Sequence, residues 1–239
     1  RTAEADVAFP GPLTQEWYGG YPSGSAYYSD DLVTKYEYNP EKAKSLLASL
    51  GFKDTNNDGI VNWPADSAIA GDNLILEILI GQDQAASLEA AEAMQPMFRD
   101  VGIDLRVKTV TGPNLTTRID SGTFEMNLIR LDSAIPFIQM DLFGPVRDNS
   151  PDWHQAGTGG ERNLLPFEQE IRKLMVESQT TASVERRFEI FQKVLEIYTK
   201  NIYSVGVYEA RRGTGIHKRI RNYQPDIPPY LYNWTISSI

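Results

Sequence analysis

Between Leu74 and Leu131 the chain alternates three apolar runs with two helix-patterned stretches. That alternation constrains the fold more than any other feature. LILEILI (Leu74–Ile80) reads as a strongly apolar strand. Residues 84–101 place Ala91, Met94, Phe98 and Val101 at i, i+3, i+7 and i+10, one face of a helix. Pro96 sits inside that run and predicts a kink or an interruption. IDLRVKTV (Ile103–Val110) alternates with period two, as a strand does. Residues 113–121 form a short helical stretch with Leu115, Arg118 and Ile119, and FEMNLIRL (Phe124–Leu131) is the third strand. A β-α-β-α-β series implies a parallel sheet with right-handed crossovers, so the expected class is α/β.

Elements on either side frame this unit. Residues 1–35 are rich in Gly, Pro, Ser and Tyr, and Trp17, Tyr18, Tyr21, Tyr27 and Tyr28 predict an ordered irregular segment. Asn39 is a good helix N-cap and Pro40 suits the first helical position. Ala43, Leu46, Leu47 and Leu50 then share a face, and Gly51 ends the helix. Residues 132–165 read as a long polar loop. Phe167, Ile171, Leu174 and Met175 mark a further helix. Val184, Phe188, Phe191, Leu195 and Tyr198 mark another, with Ser183 as its cap. IYSVGVYEA (Ile202–Ala210) reads as an apolar strand, followed by the basic cluster ARRGTGIHKRIR and a Pro/aromatic tail. The expected organisation is residues 1–35 as an irregular leading segment and hinge, 36–205 as the α/β lobe, and 206–239 as a return hinge and tail.

Composition removes several classes of function. The 239 residues carry a formal charge of -9, a poor match to nucleic acid or an anionic membrane surface. With no cysteine there are no disulfides, thiolate nucleophiles or cysteine zinc sites. The two histidines, His154 and His217, have no motif around them for a triad or a multi-histidine metal centre. No apolar run reaches the ~18 residues of a membrane span.

Six segments, in order, resemble the solute-binding proteins of ABC importers, in the oligopeptide/dipeptide-binding class. They are YNPEKAKSLLASLGFKDTNNDGI, AAEAMQPMFRDVGIDLRVKTV, SGTFEMNLIRL, TTASVERRFEIFQKVLEIYTKN, IYSVGVY and YLYNWTI. The resemblance implies a periplasmic-binding-protein-like lobe with strands returning toward an N-terminal lobe. This chain, starting at Arg1, is expected to be the C-terminal half. It also implies a polar solute such as a peptide or sugar, an ABC permease as partner, and a periplasmic or extracytoplasmic location without enzymatic activity.

In peptide-binding members an Asp-Tyr-x-x-Pro stretch supplies a carboxylate for the ligand's ammonium group. Here it reads Asp132-Ser133-Ala134-Ile135-Pro136, with Ile129 where a Trp is expected. Asp132 also ends the third strand, where open α/β sheets place ligands. Its other role is capping a turn before Pro136. Arg130, on the same strand, is available to clamp a ligand or to pair with Asp132. Trp153, beside His154, is available to stack on a ligand at a cleft rim. Asp54-x-Asn56-x-Asp58-Gly59 matches the first half of a calcium loop, but its twelfth position is Ala65 in place of a bidentate Glu. An Asx-rich turn is the favoured reading, and no cofactor is expected. Two rival readings are an extracytoplasmic hydrolase pairing Asp132 with Asp141 or Asp152, and a calcium-dependent interaction module.

Overall fold

The computed structural model describes residues 14–129, 164–210 and 217–219. The elements are β1 (Thr14–Glu16), α1 (Pro40–Ser49), β2 (Ile75–Gly81), α2 (Ala85–Asp100), β3 (Asp104–Val110), α3 (Gly112–Asp120) and β4 (Met126–Asn127). α4 (Pro166–Thr180), α5 (Val184–Lys200) and β5 (Tyr208–Ala210) follow.

The βαβαβ series folds as its periodicity demands. β2 lies at the centre of a three-stranded sheet of order β3-β2-β4, parallel to both neighbours. Its register pairs Ile75 with Asp104 and Gly81 with Val110. The apolar run of β2, interrupted only by Glu77, follows from that position, because both faces are covered. On one face Ile78, Ile80 and Leu105 meet Ala91, Leu88, Met94 and Phe98 of α2. On the other, Leu79 meets Leu115 and Ile119 of α3, with Phe124. Burying an aliphatic side chain of this kind stabilises the fold by about 1.5–3 kcal/mol.

A second cluster forms where α4 and α5 pack together. Ile171, Met175, Ile190, Phe191, Val194, Leu195 and Tyr198 pack there with Tyr21, Val33 and Tyr203. The aromatic-rich leading segment supplies Tyr21, which is fully buried and donates its hydroxyl to the Phe191 carbonyl at 2.9 Å. β1 and β5 form a separate antiparallel pair.

Three expectations need correction. α2 runs unbroken through Pro96, whose missing N–H frees the Glu92 carbonyl; both residues are exposed, so water can satisfy it. The third strand is shorter than Phe124–Leu131: the ladder covers Met126–Asn127, and Leu128 adds one N–H···O bond to Leu79 at 3.2 Å. Phe124 instead packs beneath α3, held by a turn in which Thr123 N–H donates to the Arg118 carbonyl at 2.9 Å. Arg130 and Leu131 lie outside the described residues. Ile202–Ala210 is a strand only at its end, from Tyr208. Before that the chain turns back on α5, with Ile202 at φ 52 and Tyr203 N–H bonded to the Tyr198 carbonyl at 3.1 Å. α1 forms where its cap and Gly51 predict, yet it buries no residue, and Leu46 and Leu50 on its apolar stripe are exposed. It is anchored at its ends, by Asn39 capping Lys42 N–H at 2.9 Å and by Phe52 N–H bonding the Leu47 carbonyl at 3.0 Å.

Candidate functional site

A parallel sheet gathers its strand ends on one edge, and ligands of open α/β folds bind outside the carboxyl ends. Here that edge begins at Gly81, where β2 turns through Gln82, Asp83 and Gln84 into α2. Gln82 N–H donates to the Val110 carbonyl at 2.8 Å and Gln84 N–H to the Gly81 carbonyl at 2.9 Å, so the turn is tied to the end of β3. Gln84 is held further by Ser87, whose hydroxyl donates to Gln84 Oε1 at 3.3 Å. Gln82 and Asp83 are left exposed at the strand end.

The end of β3 contributes a second wall. Val110 leads through Thr111 into α3, and Thr111 and Asn114 are exposed. An open groove of about 680 Å³ runs here, lined by Lys108, Thr111, Pro113, Asn114, Thr117 and Arg118. Its two cations are already engaged. Glu77 on β2 accepts from Lys108 Nζ at 3.0 Å and from Arg118 Nη1 at 3.1 Å, which joins β2, β3 and α3. The Lys108 hydrogen bond, with Arg118 assisting, holds the Glu77 carboxyl below its ordinary range. The wall is therefore a set of hydroxyls and amides beside an ion cluster of two cations and one carboxylate.

Arg130, Asp132, Trp153 and His154 lie outside the described residues. Leu128, shortly before them, donates its N–H to the Leu79 carbonyl of β2 at 3.2 Å. Gln82, Asp83, Thr111 and Asn114 sit at the ends of the first two strands, away from the third strand that carries Asp132 in sequence. The ends of the first two strands, LILEILIGQDQ and VKTVTGPN, were the available signal.

Asp54, Asn56 and Asp58 come together in one loop. Asp54 accepts from Gly59 N–H at 2.9 Å and from Asp58 N–H at 3.3 Å. Asp58 accepts from Ile60 N–H at 2.8 Å and from the amides of Asn73, at 2.6 Å, and Asn56, at 3.0 Å. These bonds, Asn73 first, hold the Asp58 carboxyl below its ordinary range. Gly59 at φ 87 supplies the left-handed residue the turn requires. Buried Asn62 closes the loop, accepting from Thr55 N–H at 2.7 Å and donating to Asn73 at 2.7 Å. Among the described residues no group of three or more His, Cys, Asp or Glu side chains is placed to hold a metal. No described helix is long and apolar enough to cross a membrane.

Known proteins resemble this chain over parts or most of its length. The periplasmic alpha-galactoside-binding protein of Rhizobium meliloti (strain 1021) is 26% identical over 231 residues, covering 96% of this chain and 33% of that protein. The oligopeptide-binding protein AppA of Bacillus subtilis (strain 168) is 28% identical over 119 residues, 49% of this chain and 21% of that protein. Among solved structures, the periplasmic binding protein MelB of Agrobacterium fabrum C58, in complex with stachyose, superposes with a TM-score of 0.79 at 25% identity. It covers 87% of this chain and 31% of that one. The mannohexaose-bound oligopeptide-binding protein of Thermotoga maritima shares the fold, with a TM-score of 0.66 at 21% identity over 87% of this chain and 38% of that one. The chain thus spans about a third of the length of the alpha-galactoside-binding relative. The sequence profile described as "Bacterial extracellular solute-binding proteins, family 5 Middle" matches residues 1–140. The chain belongs to the bacterial extracellular solute-binding proteins of family 5.

Proposed function

We propose that this chain forms one wall of an extracytoplasmic cleft that captures a neutral oligosaccharide of the α-galactoside class and passes it, chemically unchanged, to an ABC permease. The observation that carries this reading is the extent of the likeness. The alpha-galactoside-binding relative aligns over 96% of the chain, whereas the oligopeptide-binding relative aligns over 49%. The strand-end chemistry supports it. Gln82, Asp83, Thr111 and Asn114 offer neutral donors and acceptors with one carboxylate, which suits sugar hydroxyls. Arg130, Asp132 and Trp153 complete the proposed contact set: a guanidinium and a carboxylate for hydroxyls, and an indole for a sugar face. The departure at Ser133 from the peptide-binding pattern removes an aromatic expected beside a peptide ligand.

A thermal-shift series tests the choice of solute. The chain is titrated with millimolar stachyose, a gluco-oligosaccharide of equal length, and a nonapeptide. The expected result is a rise in melting temperature with stachyose that exceeds the other two. A rise with the nonapeptide and none with either sugar would overturn the α-galactoside reading.

A further inference from the structure

The chain's two connections, near its first and last described strands, meet on α5. β1 and β5 pair over three residues only, from Thr14–Ala210 to Glu16–Tyr208. An isolated two-stranded ribbon is marginal in water, so something else must hold these segments together. Behind the ribbon the two backbones cross with no room between them. A Cβ on Gly206 would overlap the Gly19 amide nitrogen and stand 2.7 Å from the Trp17 carbonyl oxygen. On the other side of the crossing, a Cβ on Gly20 would overlap Leu195 Cδ1 of α5. Return segment, leading segment and helix are therefore stacked at van der Waals contact, and only glycine fits between the layers.

Polar ties secure each layer to the next. Glu209 Oε2 accepts from Gln15 Nε2 and from Ser23 N–H, both at 3.1 Å, so one carboxylate spans the ribbon. Trp17 Nε1 donates to the Tyr21 carbonyl at 3.1 Å, and Tyr21 in turn is bolted to the Phe191 carbonyl at 2.9 Å. On the return side the hydroxyls of Tyr198 and Ser204 share a hydrogen bond, and Tyr203 is buried against Tyr198 with ring centroids 5.2 Å apart.

We propose that Trp17–Tyr21 and Tyr203–Gly206 form a fixed latch on α5, so that both connections move with the α4–α5 body as one unit. The bend on which a neighbouring lobe would turn therefore does not lie within Trp17–Tyr21 or Tyr203–Gly206. The neighbouring lobe belongs to the functional reading above, but the latch is a property of this chain and its test uses no ligand.

Hydrogen–deuterium exchange on the 239-residue chain, read by mass spectrometry, provides the test. In the wild type, peptides covering 17–21 and 203–206 should exchange as slowly as the core of α5. Gly206→Ala should raise exchange in both peptides together by about tenfold or more, through the overlap it forces, while the β2–β3 ladder stays protected. Gly24→Ala, where a Cβ meets nothing within 4 Å, should change neither peptide. Wild-type exchange in these segments as fast as in a free peptide would overturn the latch, whether or not Gly206→Ala folds. So would a Gly206→Ala effect confined to 203–206.

Discussion

Glu77 shows how much of this molecule depends on one carboxylate. Its two cationic partners come from different elements, so its charge helps fix the sheet to α3. Because its folded pKa lies below the ordinary 4.5, its contribution is present above pH 4.5 and is lost as the pH falls through the folded value. Glu77→Gln should therefore lower the melting temperature at pH 7, and that difference should shrink steadily on acidification below about pH 4.5. A constant difference between pH 7 and pH 3 would mean the side chain acts by packing alone. Asp58 offers a second test at this scale. Its oxygens are taken by the Asn73 and Asn56 amides and by Ile60 N–H, and Ala65 leaves the twelfth position without a carboxylate. Millimolar calcium should leave the melting temperature unchanged, whereas Asn62→Ala should cost about 1–3 kcal/mol in chemical denaturation by stranding its buried partners. A calcium-dependent rise would restore the metal reading.

Among the elements, α5 carries the second core and its start is set by Ser183. The Ser183 hydroxyl accepts from Arg186 N–H at 3.1 Å and satisfies one of the helix's open donors. Ser183→Ala should cost about 1 kcal/mol in urea unfolding, with the slope unchanged. A loss within error would show that the first turn, where Val184 is 67% exposed, adds nothing to stability. The helix and its cap were legible because amphipathic spacing and capping are local properties. Phe191, Leu195 and Tyr198 are buried in phase with that spacing. The same reasoning failed for Ile202–Ala210, where apolar composition alone suggested a strand. Tyr203 turns inward, Val205 turns outward at 62% exposure, and Gly206 is held by a contact with Gly19 that lies far away in sequence. α1 was legible in the same way as α5, but periodicity does not say whether a partner is there to cover its apolar stripe. The Glu77 cluster was invisible for the same reason, since it depends on the Ile75–Asp104 register.

At the scale of the whole molecule, the βαβαβ unit and the α4–α5 body each hold their own core, and the strand-end edge of the first presents polar groups to solvent. A single wall of a cleft binds weakly, because each hydrogen bond to a sugar competes with water and nets only about 0.5–1.5 kcal/mol. Affinity in the millimolar range is therefore expected for this chain, and sub-micromolar binding by calorimetry would contradict a half-cleft. Location is the sharper criterion. Backbone amide resonances of the 239-residue chain, followed through a stachyose titration, locate the sugar-binding edge directly. Fast-exchange shifts are expected at Gln82–Gln84 and Thr111–Asn114, on the carboxyl edge of the β3-β2-β4 sheet. Shifts confined to α1 or the β1–β5 ribbon, or none at saturating sugar, would contradict that placement.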